Sequence, residues 1–327
     1  MLAAVVGTPL LLAGIEGALR VAGVESAPRI LFDRETCYVA FEPGTHLHRV
    51  ENGLEHDLWL DDRGFRVAGA VARGERRIDP SRCRVLGLGD SYTEGFFVTA
   101  EETWPSRLEQ NLRGRGYDVG VDNGGFRNIS IVPQRYAALT RWAPMRHDLV
   151  VLQHTANDIQ DLVTARRAGC VAPRFGPFAG SRLARIAQEA AARIQVALAA
   201  GQAEPPTEEE CTAMSIEYRE QLVDLARALT SDGRRFLFVQ MEPFYCAGIA
   251  SSAAEQNARV WDPYVAHLRR ALVEAGGDYL DVSDELQQPG RNLQPADSHP
   301  NAAAYLAVAR RIADHLDAAA TLDHCRR

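Results

Sequence analysis

Residues 84–91 read Arg84-Val85-Leu86-Gly87-Leu88-Gly89-Asp90-Ser91, a short apolar run that ends in glycine and two polar residues. A continuous apolar run of this length is typical of a buried parallel strand. Four more such runs follow, at 118–121, 148–152, 236–239 and 279–282. Helix-like segments lie between the runs, near 103–115, 134–142, 211–230, 254–276 and 300–318. This alternation predicts an α/β domain of three layers, α/β/α, around a mostly parallel sheet of about five strands.

The composition excludes several classes of protein. With 46% hydrophobic and 24% charged residues, the 327-residue chain resembles ordinary globular proteins and has enough apolar side chains for a large core. The net charge of −7 argues against a nucleic-acid partner, because phosphate binding needs a basic surface. The six cysteines form no Cys-x-x-Cys pair, and no His-Glu-x-x-His motif occurs, so no metal site is expected. The glycines at 87 and 89 do not complete a dinucleotide fingerprint, and we expect no cofactor.

The segments that flank the predicted domain are less regular. Residues 1–24 are largely apolar but include Glu16 and Arg20, so they fit either a hydrophobic membrane anchor or a docked helix. A membrane-anchored or extracytoplasmic location is favoured, and a cytoplasmic one stays open. Residues 25–83 are interpreted as an extension that packs on the main domain with few regular elements, and residues 321–327 as a tail.

The main domain, residues 84–320, has a predicted helical insertion at 165–210. Its Ala-rich part, Ala184 to Ala200, forms either a cap over a site or a decoration, and decoration is favoured. Because Cys170 and Cys211 bracket this insertion, they are the first guess for a disulfide. Buried or free thiols are at least as good an interpretation of the six cysteines.

Polar residues follow the predicted strands, where α/β sheets bind ligands. They lie at 89–95, 123–130, 154–158 and 295–301. A serine needs a base to take its proton, and His299 can serve Ser91 in this way, with Asp297 holding the imidazole tautomer. The Asn157 side chain and backbone N–H groups near Ser91 and residues 124–128 can stabilise an oxyanion.

Each of these residues also has a structural interpretation. Ser91 could cap a helix, Asn157 could be a turn residue, and Asp297 could cap a helix whose first residue is Pro300. Asp90 and Asp158 are expected to hold loops by hydrogen bonds, as supporting residues. A single histidine at a strand end, His154, is more often structural than functional.

Taken in order, the four polar segments resemble the four sequence blocks of SGNH (GDSL-like) hydrolases, over roughly residues 84–318. The resemblance implies a flavodoxin-like fold, with Ser91 as nucleophile and first oxyanion donor, Asn157 as side-chain donor and His299 as base. Asn128 stands where the family usually has a glycine that donates its N–H, and Gly125 is the alternative donor.

A second departure from the family concerns the acid. Many members carry aspartate three residues before the histidine, where this chain has Ala296, so Asp297 would take the orienting role. Two further segments resemble those of family members that carry an N-terminal hydrophobic anchor. They are Arg63-Gly64-Phe65-Arg66 and Glu102-Thr103-Trp104-Pro105.

We therefore predict a serine hydrolase that cleaves O-acyl or O-acetyl esters through an acyl-enzyme, with a small-molecule, glycan or lipid acyl ester as substrate. One alternative is an O-acyltransferase that passes the acyl group to a sugar hydroxyl. The departures at Asn128 and Ala296 motivate a second alternative, a catalytically degenerate binding protein.

Overall fold

A computed structural model describes most of the chain, in these ranges: 2–22, 30–33, 35–51, 54–75, 81–127, 129–169, 181–183, 186, 204–249, 254–293, 297 and 299–327. Several residues singled out in the sequence lie outside the described residues: Asn128, Cys170, Ala296 and nearly all of the Ala184 to Ala200 stretch.

The described residues form ten strands and ten α-helices. The strands are β1 (Ile30–Asp33), β2 (Tyr38–Phe41), β3 (His46–Glu51), β4 (Leu54–Leu60), β5 (Arg66–Val67), β6 (Cys83–Leu88), β7 (Val119–Asn123), β8 (Leu149–His154), β9 (Arg235–Gln240) and β10 (Asp278–Asp281). The α-helices are α1 (Leu2–Val21), α2 (Gly69–Ala72), α3 (Ser91–Glu94), α4 (Trp104–Gly114), α5 (Ile131–Tyr136), α6 (Asp158–Ala168), α7 (Glu208–Ser231), α8 (Ala254–Glu274), α9 (Ser283–Leu286) and α10 (Ala302–Ala318). The structure also has a short π-helix (Ala137–Arg141) and three 3₁₀ turns, Ala100–Glu102, Ala143–Met145 and Asp323–Cys325.

The main sheet has eight strands in the order β10-β9-β8-β6-β7-β5-β4-β3. The five adjacent strands β10, β9, β8, β6 and β7 are parallel, which confirms the predicted mostly parallel sheet of flavodoxin-like order. The antiparallel strands β3, β4 and β5 extend it, with Arg66 of β5 paired to Asn123 of β7. The expectation of few regular elements in residues 25–83 is therefore wrong: this extension is part of the sheet.

Helices cover both faces of the parallel strands, as the predicted α/β/α layering requires. Alternate strand residues face opposite layers: Leu86 and Val150 pack with α5, α6, α7 and α8, whereas Val85 and Val151 pack with α4 and α10. Because both faces are buried, these strands are continuously apolar. Because these strands are parallel, their carboxyl ends meet at one edge of the sheet, where the polar segments lie.

Two local features differ from the sequence interpretation. The last long helix begins at Ala302, after an N-cap at Asn301 whose side chain accepts from the N–H groups of residues 303 and 304. Neither Pro300 as first helical residue nor Asp297 as cap is correct, since Asn301 already satisfies those donors. Residues 158–168, which lie outside the predicted helices, form α6, and the predicted insertion at 165–210 begins in α6 and ends in α7.

Two disulfides join described residues: Cys83 with Cys325, and Cys211 with Cys246. The expected Cys170–Cys211 pair is therefore wrong, because Cys246, in the loop after β9, lies beside the start of α7. Cys37 is also disulfide-bonded. No helix among the described residues is long and apolar enough to cross a membrane. The Glu16 carboxylate in α1 accepts hydrogen bonds from Ser181 and from the N–H groups of Arg182 and Leu183.

Candidate active site

Ser91 is the first residue of α3, directly beyond the carboxyl end of β6. Asp90 is the N-cap of this helix, and its carboxylate accepts from the Tyr92 N–H at 2.9 Å, so Ser91 is not the cap. The preceding Gly89 has φ +154°, and a Cβ there would lie 2.1 Å from the Gln153 side chain. A glycine is thus required for the sharp turn that presents Ser91.

His299, which lies near the end of the domain in the sequence, contacts both Ser91 and Asp297. Its Nε2 lies 2.9 Å from Ser91 Oγ, and its Nδ1 hydrogen-bonds Asp297 Oδ1. That same carboxylate oxygen accepts the His299 backbone N–H at 2.8 Å, which fixes the residue two positions before the histidine. With Nδ1 protonated toward the acid, Nε2 is free to accept the Ser91 proton.

The three predicted oxyanion donors other than Ser91 have different surroundings. The exposed Asn157 side chain lines the cavity beside Ser91, and one of its two amide protons goes to Asp161 at 2.7 Å. The Gly125 N–H donates to Asn123 Oδ1 at 3.0 Å and is thereby occupied, so the geometry does not favour Gly125 as a donor. Asn128 lies outside the described residues.

Gly125 nevertheless has a structural reason to be glycine. A Cβ at this position would lie 2.1 Å from the Glu94 backbone nitrogen. The loop after β7 therefore packs directly against the back of α3 and supports the Ser91 turn.

Asp90 and Asp158 hold the loops at the strand ends. Asp90 Oδ2 is 2.8 Å from Thr155 Oγ1. Asp158 Oδ2 accepts from Tyr218 OH at 2.9 Å and from the Thr155 N–H at 3.2 Å, and it lies 2.8 Å from His154 Nδ1. His154 is fully buried in this cluster, and burial lowers its pKa to about 3. It thus stays neutral, which agrees with a structural role.

A cavity of about 540 Å³ opens over Ser91. It is lined by Ser91, Tyr92, Phe96, Arg127, Ala156, Asn157, Gln160, Asp161, Glu242, Tyr245 and His299. Phe96 and Tyr92 pack their rings against His299, at centroid distances of 5.0 and 5.3 Å. The remaining side chains that line the cavity are mostly polar or charged.

Three charged residues of this cavity were missed in the sequence. Glu242 follows β9, so the strand-end rule pointed to it; it accepts from Tyr92 OH and the Ala156 N–H. Asp161 lies one helical turn after Asn157, a relationship that depends on α6, which the sequence pattern does not predict. Arg127 lies over the Phe96 ring at 4.4 Å, and no local pattern signals that contact.

Glu94, at the end of α3, is the centre of a buried ionic cluster. Its carboxylate pairs with Arg49 of β3 and accepts the Arg127 N–H. Burial opposes ionisation, but the charges of Arg49, Arg127 and Arg66 outweigh it and lower the pKa of Glu94 to about 2. The N-terminal extension therefore stabilises the helix that carries Ser91.

Arg66 completes this support from β5. Its fully buried guanidinium donates to the carbonyls of Glu94, Gly95 and Val98, the last two at 2.5 Å. These carbonyls belong to α3 and the turn that follows it. One side chain of the extension thus fixes the backbone around the candidate nucleophile.

The described residues contain one cluster with metal-ligand spacing, Cys83, His324 and Cys325. Both of its cysteines are in a disulfide and offer no thiolate. This cluster is therefore not a metal site.

The profile of the GDSL-like lipase/acylhydrolase family matches residues 88–307. Among solved structures, the chain is similar to TesA at 14% identity, with a TM-score of 0.46, over 72% of this chain and 98% of TesA. It is similar to the psychrotrophic esterase EstA from Pseudoalteromonas sp. (10%, TM-score 0.46, 72% and 98%). It is also similar to Axe2, an acetyl-xylooligosaccharide esterase from Geobacillus stearothermophilus (16%, TM-score 0.44, 72% and 94%). No curated protein matches the chain.

Proposed function

Since the chain belongs to the GDSL-like lipase/acylhydrolase family of carboxylic ester hydrolases, we propose that Ser91, His299 and Asp297 cleave its ester substrate by way of an acyl-enzyme. The observation that carries this proposal is the pair of hydrogen bonds made by His299, from Nε2 to Ser91 Oγ and from Nδ1 to Asp297. It is the arrangement that an activated serine needs. It also argues against the catalytically degenerate alternative.

The reaction follows from this geometry. Ser91 Oγ attacks the ester carbonyl carbon while its proton moves to His299 Nε2, and Asp297 stabilises the imidazolium. The Ser91 N–H and the Asn157 amide donate to the oxyanion. The carbon–oxygen bond to the alcohol then breaks, and the alcohol leaves with the proton from His299. Water, deprotonated by His299, attacks the acyl-enzyme and releases the acid and Ser91.

The cavity favours a short acyl group on a hydroxyl-bearing alcohol such as a sugar. Asp161 and Glu242 offer carboxylate oxygens that accept from hydroxyls, and Arg127 offers donors. A long alkyl chain would desolvate these charged groups without replacing their hydrogen bonds. Its binding in this cavity is accordingly disfavoured.

Covalent labelling with a fluorophosphonate tests the nucleophile. The wild type and a control variant with an exposed serine changed, Ser231→Ala, are expected to label equally, and Ser91→Ala not at all. Labelling of Ser91→Ala, or no labelling of the folded wild type, would refute the assignment.

Hydrolysis of p-nitrophenyl acetate and p-nitrophenyl palmitate tests the acyl preference. We expect the acetate to be cleaved with the higher kcat/KM, and a preference for palmitate would refute the short-acyl proposal. Adding an oligosaccharide acceptor separates hydrolysis from transfer. If p-nitrophenol turns over only with the acceptor present, and the acyl group is recovered on the sugar and not as free acid, the protein is an acyltransferase.

A further inference from the structure

Four side chains beside Ser91 form a continuous chain of short hydrogen bonds. Thr155 Oγ1 lies 2.8 Å from Asp90 Oδ2 and 2.8 Å from Asn157 Oδ1. Asn157 Nδ2 lies 2.7 Å from Asp161 Oδ2. Asp90 and Thr155 are buried, whereas Asn157 and Asp161 reach the cavity. The chain thus runs from the cap of the Ser91 helix to the substrate space.

This chain needs one proton more than its neutral groups supply. Three links require three donated protons. The Thr155 hydroxyl gives one and the Asn157 amide gives one, toward Asp161. Because Thr155 faces an acceptor on both sides, the missing proton must sit on Asp90 when the amide has this orientation. With the amide reversed, Asn157 would donate to Thr155, and the missing proton would have to sit on Asp161.

We propose that Asp90 and Asp161 compete for one proton through Thr155 and Asn157, and that the carboxyl that carries it sets the orientation of the Asn157 amide. On Asp90, the proton gives the orientation in which Asn157 donates to Asp161. The inference rests on the proposed role of Asn157 as oxyanion donor. Asp90, Thr155 and Asp161 are positioning residues, since they act on the oxyanion through Asn157. Without this proton, Thr155 meets two acceptors with one hydrogen, and the amide loses one of its two restraints.

The surroundings of both carboxyls favour a proton there. Burial, and then the charge of Asp158, raise the pKa of Asp90 to about 6. Burial, and then the charges of Asp158 and Asp90, raise the pKa of Asp161 to about 7. Because both values lie above the ordinary 3.8, the complete chain is present at low pH. It is lost as the pH rises through about 6 to 7.

Other ionisable groups face this pair from the elements packed around it. They are Tyr92, His154, Asp158, Tyr218, Glu242 and Tyr305. Asp158 is the rival site for the proton, but its Oδ2 already has donors from Tyr218 and the Thr155 backbone, and Nδ1 of neutral His154 beside it. Its Oδ1, however, is buried with no hydrogen-bond partner among the described residues, and burial raises the pKa of Asp158 to about 7. Asp158 therefore competes with the chain for a proton, while the three links of the chain need a third donor whichever state Asp158 takes. His299 and Arg127 line the same cavity as Asp161.

Carboxyl NMR of the whole protein, labelled with ¹³C at the aspartate side chains, tests the proposed proton without using activity. Asp90→Asn and Asp161→Asn assign the two resonances. In the wild type we expect both resonances to shift together in one step, at about pH 6 to 7. Thr155→Val, which removes the hydroxyl and keeps the shape, should split this step into two, and Thr155→Ser should keep it. Ordinary titration of both carboxyls near pH 4, proton uptake by Asp158 instead, or an unchanged step in Thr155→Val would overturn the proposal.

Steady-state kinetics provide the second arm. Thr155→Val should lower kcat about tenfold with KM little changed, a part of the roughly 10²–10³ that a whole oxyanion donor contributes, and Thr155→Ser should recover it. Asp90→Asn, which imitates the protonated acid, should lose the fall in kcat between about pH 6 and 7. Equal kcat values for the valine and serine variants at every pH would count against the inference. Absence of labelling and hydrolysis in the wild type would instead refute the proposed function, and NMR would still decide the proton.

Discussion

Replacing Arg66 by methionine tests whether the N-terminal extension stabilises the Ser91 helix. Arg66 is 4% exposed and donates to three backbone carbonyls, those of Glu94, Gly95 and Val98. Burial lowers the pKa of Arg66 to about 10, so the guanidinium is still charged at neutral pH. Methionine fills much of the same volume but donates nothing.

The expected loss of stability follows from the buried carbonyls and the Glu94 carboxylate that lose the Arg66 guanidinium. Each hydrogen bond from a charged donor contributes roughly 1.5–3 kcal/mol, and leaving a buried charged partner such as Glu94 with fewer cations adds to the loss. Removing one member of a buried ionic cluster typically costs about 3–5 kcal/mol. We adopt the range of about 3–5 kcal/mol for Arg66→Met, because the energies of its three hydrogen bonds are not additive.

Urea denaturation followed by circular dichroism measures this change. The matched control is Arg227→Met, whose arginine is 65% exposed and lies 3.8 Å from Asp224; it should change the free energy of unfolding by less than about 1 kcal/mol. An Arg66→Met protein within about 1 kcal/mol of that control would refute the reasoning. If methionine prevents folding, Arg66→Lys, which retains the charge but not the three-way geometry, should lose about half as much.

Three further predictions concern the site. Asp297→Asn should lower kcat by about 10⁴, because the imidazole loses the acceptor that sets its tautomer, with unfolding free energy little changed; a loss below tenfold in steady-state kinetics would contradict this. Gly125→Ala should destabilise the protein by about 1–3 kcal/mol in urea denaturation, since its Cβ would meet the Glu94 backbone, whereas Gly114→Ala, with nothing within 4 Å, should not. The stability contributed by ionised Glu94 is full above pH 4.5 and lost as the pH falls toward about 2. Glu94→Gln should therefore flatten the acid-induced drop in the urea midpoint, and parallel curves would argue otherwise.

The parallel half of the sheet was predictable because its strands are buried on both faces. β6 and β8 are nearly continuous runs of apolar residues, and such runs need no long-range information to recognise. The strands of the extension were not recognisable in this way. β3 reads His46-Leu47-His48-Arg49-Val50-Glu51, and β5 has two residues. Their positions depend on long-range pairing, of β5 with the edge of β7 and of β3 with β4.

The residues of the candidate site also differ in how far local sequence predicts them. Ser91, His299 and Asp297 lie in short local patterns, and the structure brings them together. Asp161 and Arg127 depend on how α6 and the loop after β7 are packed, which no local pattern encodes. Disulfide pairing has the same limit, since six cysteines allow fifteen arrangements.

The bond between Cys83 and Cys325 closes residues 83–325 into a covalent ring, with 242 positions separating the two cysteines. Such a large loop restricts the unfolded chain by about 5 kcal/mol in the chain-entropy account. Every residue that contacts the scissile ester in the proposed mechanism lies inside the ring, so a single proteolytic cut there leaves two tethered fragments. Arg49 and Arg66 lie outside it. This ring does not restrain the strands of Arg49 and Arg66, but the disulfide at Cys37 in the same segment supplies a separate cross-link, so a single cut before residue 83 does not by itself free the extension.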